Sequence, residues 1–375
     1  MRYKRFGKTN LNLSVFSLGT MRCLASSQIA TATIERAIAL GINHLETARG
    51  YGNSEVYLGS ALQNLSILRE NIYLTTKLSP TPDSKQMTQW IDESLDRLQI
   101  DYLDCLAIHG INTWEHLNWV TKPDGCLRAI HQAIAQGKIG HLGFSTHGSP
   151  DLILATIATD LFEFVNLHYY YFGQRNSSAI ALASEKDMGI FIISPADKGG
   201  RLYTPPDKLQ QLCSPFTPLE LTYRFLLRDP RITTLSLGAA NPNELILPLQ
   251  VSDRTYPLTS EEIEVFTRLE RHLEQTLNTD LCRQCDRCLP CPENINIPEI
   301  LRLRNLTVAY DMQEYAQYRY RMLENAGHWF PGKKGDRCTD CGDCLPRCPE
   351  NLDIPTLVRD THQQLNGSPR RRLWQ

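Results

Sequence analysis

Eight short apolar runs recur through the first 275 residues at intervals of about thirty, and a stretch with helical spacing follows each one. The runs are SVFSLGT, INHLET, NIYLTTK, YLDCLAIH, IGHLGFST, FEFVNLHYYY, GIFIISP and ITTLSLG. Several are rich in Val, Ile, Tyr and Phe without clean alternation, as expected of parallel strands buried on both faces. Between them, MTQWIDESLDRLQ aligns Ile91, Leu95 and Leu98 on one helical face. CLRAIHQAIAQG does the same with Leu127, Ile130 and Ile134, and Gly137 is placed to stop that helix in the left-handed conformation. This repetition predicts an α/β protein built as a (β/α)8 barrel; a doubly wound open sheet is the alternative. In a barrel the strand ends Glu46, Lys77, His109, Ser145, His168 and Ser194 share one rim, however far apart they lie in the sequence.

MRYKRFGKTNLNL, ahead of the first run, reads as a hairpin turning at Gly7 to Asn10 that closes the barrel bottom. LTSEEIEVFTRLERHLEQTL reads as a helix capped by Thr259 or Ser260. The expected division is a barrel over 1–277, a small mainly helical domain over 278–362 and a flexible tail over 363–375. Between the seventh and eighth runs, ADKGGRLYTPPDKLQQLCSPFT cannot be one helix, because it carries Gly199, Gly200, Pro205 and Pro206. It reads either as a lid over the rim or as an ordered surface loop.

With 375 residues, 42% hydrophobic content and a formal charge of -2, the chain is long enough for a full core and shows no basic bias toward nucleic acid. No apolar run approaches the roughly 18 residues of a membrane helix, and MRYKRFGKTNLNLS lacks the apolar core of a signal peptide. The expectation is a cytoplasmic protein without membrane insertion. Of the 12 cysteines, Cys23, Cys105, Cys126 and Cys213 are scattered and read as small buried hydrophobes. The other eight crowd into positions 282–348, which suits metal rather than a disulfide framework.

Cys338, Cys341, Cys344 and Cys348, followed by Pro349, have the C-x2-C-x2-C-x3-C-P spacing of bacterial [4Fe-4S] ferredoxins. Structural zinc normally takes two pairs separated by a longer loop, so three consecutive short intervals argue for iron-sulfur. Cys282, Cys285, Cys288 and Cys291 form a second copy, with the last interval one residue shorter. Both copies continue CPEN and then Ile-Pro, so two related cluster sites are expected. In two-cluster ferredoxins the fourth cysteine serves the other cluster. On that precedent Cys348 joins Cys282, Cys285 and Cys288, and Cys291 joins Cys338, Cys341 and Cys344. PEILRLRNLTVAYDMQEYAQYRYRMLENAG between the copies reads as helix, with Tyr310, Tyr315, Tyr318 and Tyr320 as packing residues. NGSPRRRLWQ reads as a flexible terminus whose arginines would suit an acidic redox partner.

The ordered set NHLETARGYGNSE, LTTK, DYLDCLAIHG, GKIGHLGFS and LSLGAANPNEL resembles the aldo/keto reductases over about residues 3–275. The tail is similar to the helical ferredoxin-type modules found in one branch of that family. The resemblance implies that Tyr51 is the proton donor to a carbonyl that receives hydride from a nicotinamide, assisted by Lys77 and His109. Glu46 stands where the family has aspartate. A phenol of pKa near 10 is a poor acid at neutral pH, so a neighbouring ammonium that lowers its pKa is expected to help. Glu46 would hold Lys77 charged, and His109 would hydrogen-bond the substrate oxygen.

For the nucleotide, the resemblance implies Thr20, Ser145, Thr146, Asn166, Ser194, Gly238 and Glu244 as binding residues, with Ser145, Thr146 and Asn166 on the nicotinamide carboxamide. Ala240 holds the position of the family's 2'-phosphate-binding base, and Pro248 that of its adenine-binding asparagine. Gly238 would allow close backbone approach, and the helix after it would receive a phosphate. NADP(H) is expected by resemblance, with NAD(H) not excluded. The expected activity is reduction of a small carbonyl or oxidation of an alcohol, joined to two [4Fe-4S] clusters that exchange electrons with a protein partner. The alternative is a non-catalytic or regulatory redox or docking module, with clusters that sense redox state or hold structure.

Overall fold

Residues 1–14 double back as β1 (Tyr3–Arg5) and β2 (Asn12–Ser14), paired antiparallel. Gly7 and Asn10 take left-handed φ angles of 53° and 58°, and Asn10 N donates to Gly7 O at 3.0 Å, so the turn falls where the sequence placed it. Phe6 and Leu13 pack with Cys105, Ala107, Phe164 and Phe191 in one buried cluster. Gly189 is required there, because a Cβ would stand 2.3 Å from the Phe6 ring. The structure is a computed structural model describing residues 1–65, 69–254 and 257–370.

The eight apolar runs become eight parallel strands: β3 (Phe16–Gly19), β4 (His44–Glu46), β5 (Tyr73–Leu78), β6 (Leu103–His109), β7 (Ile139–Ser145), β8 (Phe164–Leu167), β9 (Gly189–Ile192) and β10 (Thr234–Leu237). They close in chain order, β10 pairing with β3, and form the barrel expected. Register decides what meets on the rim. Gly19 lies beside Glu46 and Glu46 beside Thr75; His109 lies beside Ser145 and Ser145 beside Asn166. Helix Ser84–Leu98 buries Ile91, Leu95 and Leu98, helix Cys126–Ala135 buries Leu127 and Ile130 but leaves Ile134 half-buried, and Gly137 has φ 74°. The four scattered cysteines are all buried.

The barrel interior carries a polar chain that the apolar runs did not reveal. Thr234 Oγ1 and His44 Nδ1 each lie 2.7 Å from Ser17 Oγ, and His44 Nε2 lies 2.7 Å from Thr75 Oγ1. Burial first, then the nearby Lys77 ammonium, pulls the His44 imidazole down to about 3, so it is neutral at ordinary pH.

The chain divides into two compact units, and the division differs from a simple cut at 277. Residues 1–196 and 223–256 make one; residues 197–222 and 257–375 make the other. The insertion after β9 therefore belongs with the cysteine-rich part. Tyr315 Oη donates to Lys198 O at 2.5 Å, and Lys208 pairs with Asp311 at 3.7 Å. Arg268, on helix Ser260–Leu277, donates to Leu212 O at 2.8 Å and also to Ser214 O. Only Asp207–Cys213 of the insertion's middle is helical, between its proline pair and Pro215.

Helix Ser260–Leu277 begins with a complete capping box, Thr259 exchanging hydrogen bonds with Glu262. The stretch expected as one helix between the cysteine motifs is two, Ile297–Tyr310 and Gln313–Tyr320, broken where Asp311 turns left-handed at φ 56°. Its tyrosines are packing residues: Tyr310, Tyr315, Tyr318 and Tyr320 are all at most 5% exposed. The last helix, Ile354–Leu365, runs past the expected start of the tail at 363, because Leu365 is fully buried. Residues 371–375 of that tail, including two of its arginines, lie outside the described residues. Among the described residues, no helix is long and apolar enough to cross a membrane.

Candidate active site and cysteine motifs

Glu46 ends β4, Lys77 lies one residue from the end of β5, His109 ends β6, and Tyr51 follows β4 on a short loop. Parallel pairing brings these ends together. Glu46 and Lys77 are 3% and 1% exposed, so their charges can persist only as a pair. The Lys77 ammonium donates to the Glu46 carboxylate and, at 2.7 Å, to Thr47 O. Its Nζ lies 4.8 Å from the Tyr51 ring centre, and the Tyr51 and His109 rings meet edge-on with centroids 5.5 Å apart. All four predicted side chains are thus in one place, bound by direct contacts.

One expectation about them is corrected. Burial pushes the Tyr51 phenol above its ordinary value, whereas the sequence argument had Lys77 lowering it. Removing water from the phenolate is the cause of the rise. Tyr51 is consequently protonated at ordinary pH, and giving that proton to a substrate oxygen requires a charge nearby to stabilise the phenolate left behind.

The residues assigned to the nucleotide on this side of the rim divide by what they already bind. Ser145 Oγ accepts from Gly110 N at 3.0 Å, and Thr146 Oγ1 donates to Ile111 O at 2.7 Å. Thr20 Oγ1 donates to Glu46 O at 3.1 Å and lies 2.6 Å from Ser54 Oγ. Ser194, two residues past β9, is half-buried with φ 53°. Asn166 differs: it is fully buried, yet neither its amide nitrogen nor its amide oxygen has a partner among the described residues. Buried amides are nearly always hydrogen-bonded, so a donor-acceptor pair left open calls for a ligand with the complementary pair. A carboxamide supplies it, and the nicotinamide assignment fits this residue.

The adenosine end departs from expectation. A Cβ at Gly238 would meet only Arg22 Cδ at 3.7 Å, so the protein itself leaves space beside this residue. The short 3-10 helix Pro242–Leu245 that follows is capped from within, Asn241 Oδ1 accepting from Asn243 N at 3.0 Å. Arg22, which the sequence did not single out, donates to Gly238 O at 2.7 Å and grips Glu244 with both terminal nitrogens at 2.7 and 3.2 Å. Ala240 N adds a bond to Glu244 at 3.1 Å. No local spacing could have found Arg22, because 222 residues separate it from Glu244. His147 was also missed: its Nε2 lies 3.2 Å from His168 Nε2, and its backbone N donates to Asn112 Oδ1 at 2.7 Å.

The two cysteine motifs repeat in backbone as well as in sequence. Gln284 and Asp340, each two residues past a first cysteine, have φ 60° and 56°; Asp286 and Gly342 have 59° and 79°. Asn294 and Asn351, three past each last cysteine, have 56° and 55°. Each copy then opens a helix with a proline in its first turn, capped by Asn296 or Asp353. The shorter interval of the first copy contains a cis Leu289–Pro290 bond, and Arg347 donates to Pro290 O at 3.0 Å, tying the copies together.

Cys291 lines the same pocket as Cys338, Cys341 and Cys344. The Cys282 thiol is pushed up by burial first, with the neighbouring Cys285 and Cys348 sulfurs adding to the rise. Cys288 reaches about 12, again by burial first and then through Cys282. Cys291 therefore stands with the first three cysteines of the second copy, and Cys348 lies near Cys282 of the first. Among the described residues, no three Cys, His, Asp or Glu side chains converge on a single-ion site. Four thiols around one pocket suit a larger inorganic cluster, which takes one thiolate at each iron.

The family model for the Aldo/keto reductase family matches residues 16–271, and that for a 4Fe-4S dicluster domain matches residues 281–352. An uncharacterized oxidoreductase, YqkF of Bacillus subtilis, is 23% identical over 314 residues, covering 74% of this chain and 98% of its own. The methylglyoxal reductase DkgA of Salmonella typhimurium is 32% identical over 145 residues, 38% of this chain and 51% of that protein. Among solved structures, the aldo-keto reductase AKR11C1 of Bacillus halodurans superposes with a TM-score of 0.63 at 22% identity, over 72% of this chain and 96% of that one. This last likeness shows the fold.

Proposed function

Because the chain belongs to the aldo/keto reductase family and ends in a 4Fe-4S dicluster domain, we propose that it interconverts a small carbonyl compound and its alcohol using NADP(H) or NAD(H). Its two cysteine motifs would hold two [4Fe-4S] clusters that exchange electrons with a protein partner. The observation that carries the reading is the contact set joining Tyr51, Lys77, Glu46 and His109 on the barrel rim.

A bound reduced nicotinamide supplies the hydride that goes to the carbonyl carbon. Tyr51 gives its phenolic proton to the carbonyl oxygen, so the product is a neutral alcohol. Lys77, kept charged by Glu46, stabilises the phenolate that the transfer leaves behind. His109, against the edge of the Tyr51 ring, is placed to hydrogen-bond the same oxygen. Asn166 would hydrogen-bond the carboxamide of that nicotinamide through its open donor-acceptor pair. Thiolates from Cys282, Cys285, Cys288 and Cys348 would hold one cluster, and those from Cys291, Cys338, Cys341 and Cys344 the other. Hydride carries two electrons and each cluster passes one, so the cluster chemistry is assigned to a partner rather than to the carbonyl step.

The test is carbonyl-dependent oxidation of reduced nicotinamide by anaerobically purified protein, with methylglyoxal as the first substrate because a relative is named for it. Loss of the activity in Tyr51→Phe supports the reading, and its persistence there removes Tyr51 as the acid. Iron and sulfide assays with EPR test the clusters; zinc in place of iron would end the electron-transfer part.

A further inference from the structure

Arg22, Gly238, Ala240 and Glu244 form a closed anion site whose anion is already part of the chain. The Arg22 guanidinium is spread across both Glu244 oxygens, at 2.7 and 3.2 Å, while its Nη1 also donates to Gly238 O at 2.7 Å. Ala240 N–H, the backbone donor beside it, is likewise taken by Glu244 at 3.1 Å. A bidentate guanidinium and a backbone amide are the groups that proteins use for phosphate. In a barrel, phosphate sites gather at the loops following strands seven and eight, and this cluster sits immediately after β10, the eighth barrel strand. The arginine and glutamate are only 33% and 23% exposed, so their attraction is not fully screened by water.

We propose that Glu244 occupies the place of a nucleotide 2'-phosphate and makes this chain selective for NAD(H) over NADP(H). The inference rests on the nicotinamide-dependent reading above and supplies its cofactor. A 2'-phosphate, carrying about two negative charges at neutral pH, would have to detach Arg22 from Glu244 and then lie against the released carboxylate. A ribose 2'-hydroxyl meets no such opposition and can donate a hydrogen bond to the same carboxylate. Other dinucleotide sites use this logic, with an acidic residue on the 2'-hydroxyl for NAD and an arginine on the phosphate for NADP. Here both residues are present, and their mutual pairing favours the unphosphorylated ribose.

The experiment is fluorescence titration of the full-length, cluster-loaded protein with NADH and NADPH. Competition by 5'-AMP and by 2',5'-ADP provides a second measurement that needs no variant. The expected result is NADH tighter than NADPH by about tenfold or more, with 5'-AMP the better competitor. Glu244→Gln, which keeps the shape and removes the charge, should shift the NADPH-to-NADH affinity ratio toward NADPH by at least about fivefold. Equal or tighter NADPH binding by the unaltered protein overturns the inference while leaving the reductase reading intact. Unchanged nucleotide preference in Glu244→Gln also overturns it. Binding of neither nucleotide at millimolar concentration overturns both.

Discussion

The Lys77 ammonium lies 4.8 Å from the centre of the Tyr51 ring while bonded to the Glu46 carboxylate. A cation over an aromatic face is attracted to the ring, so Lys77 restrains Tyr51 as well as acting on its charge. Because burial raises the Tyr51 pKa, the protonated form persists as pH rises past the ordinary tyrosine value of about 10. Carbonyl reduction should therefore show no Tyr51-dependent fall between about pH 7 and pH 10. The check is a kcat profile for the parent and Tyr51→Phe; the variant should be slower by about 10²- to 10⁴-fold with nucleotide affinity retained.

Glu46→Gln removes the carboxylate from a buried ammonium. Breaking a buried pair from one side costs about 3–5 kcal/mol, so urea unfolding should report a loss of that order. Glu46→Asp keeps the charge and should lose less stability, with the effect falling on kcat instead. A Glu46→Gln protein as stable as the parent would show that Lys77 does not depend on this partner.

Asn166 gives the opposite pattern. Among the described residues its amide has no partner to lose, and replacing an unpaired buried polar group with an apolar one of similar shape is neutral or stabilising. Asn166→Leu should unfold at the same or a higher urea concentration and bind nicotinamide nucleotides about ten- to a hundredfold more weakly. Reduced stability with unaltered affinity would mean that the residue serves the barrel and not the ligand.

His44 should shape the acid limb of the stability curve. Its pKa is near 3 when folded, against about 6.5 when unfolded. Between those values the unfolded chain binds a proton that the folded chain refuses. Stability due to this group is thus intact above about pH 6.5 and falls by up to about 1.4 kcal/mol per pH unit on acidification. His44→Gln should flatten that slope in denaturant titrations taken from pH 7 to pH 4. An identical slope would assign the acid sensitivity elsewhere.

The crossed arrangement of cysteines can be read out with pairs of changes. Cys348→Ser combined with Cys285→Ser should disturb one cluster and leave the EPR signal of the other. Cys348→Ser combined with Cys341→Ser should disturb both. The reverse result would assign each motif its own four ligands.

The barrel was legible because parallel strands covered on both faces must be written as nearly continuous apolar runs, and all eight runs became strands. The rim followed from it, since closure gathers strand ends and those ends held Glu46, Lys77 and His109. The Arg22–Glu244 contact was invisible because ion pairs between distant segments leave no periodicity. His44 was unremarkable inside INHLET, where one polar residue in a strand gives no hint of Ser17, Thr75 and Thr234 around it. The break at Asp311 was missed for a local reason: aspartate accepts the left-handed conformation without glycine's signal.

The division of the chain after β9 bears on how this protein can be dissected. Residues 197–222 leave the barrel between its last two strands, yet their hydrogen bonds run to Tyr315 and Arg268. A gene shortened at codon 277 would encode every barrel strand but would strip that excursion of Tyr315, Asp311 and the helices carrying them. The product would be a barrel with a loose flap bearing a newly uncovered surface, prone to clump or to be clipped by proteases. Separating the role of the barrel from that of the cysteine motifs therefore calls for point changes at the cysteines, with the polypeptide left whole.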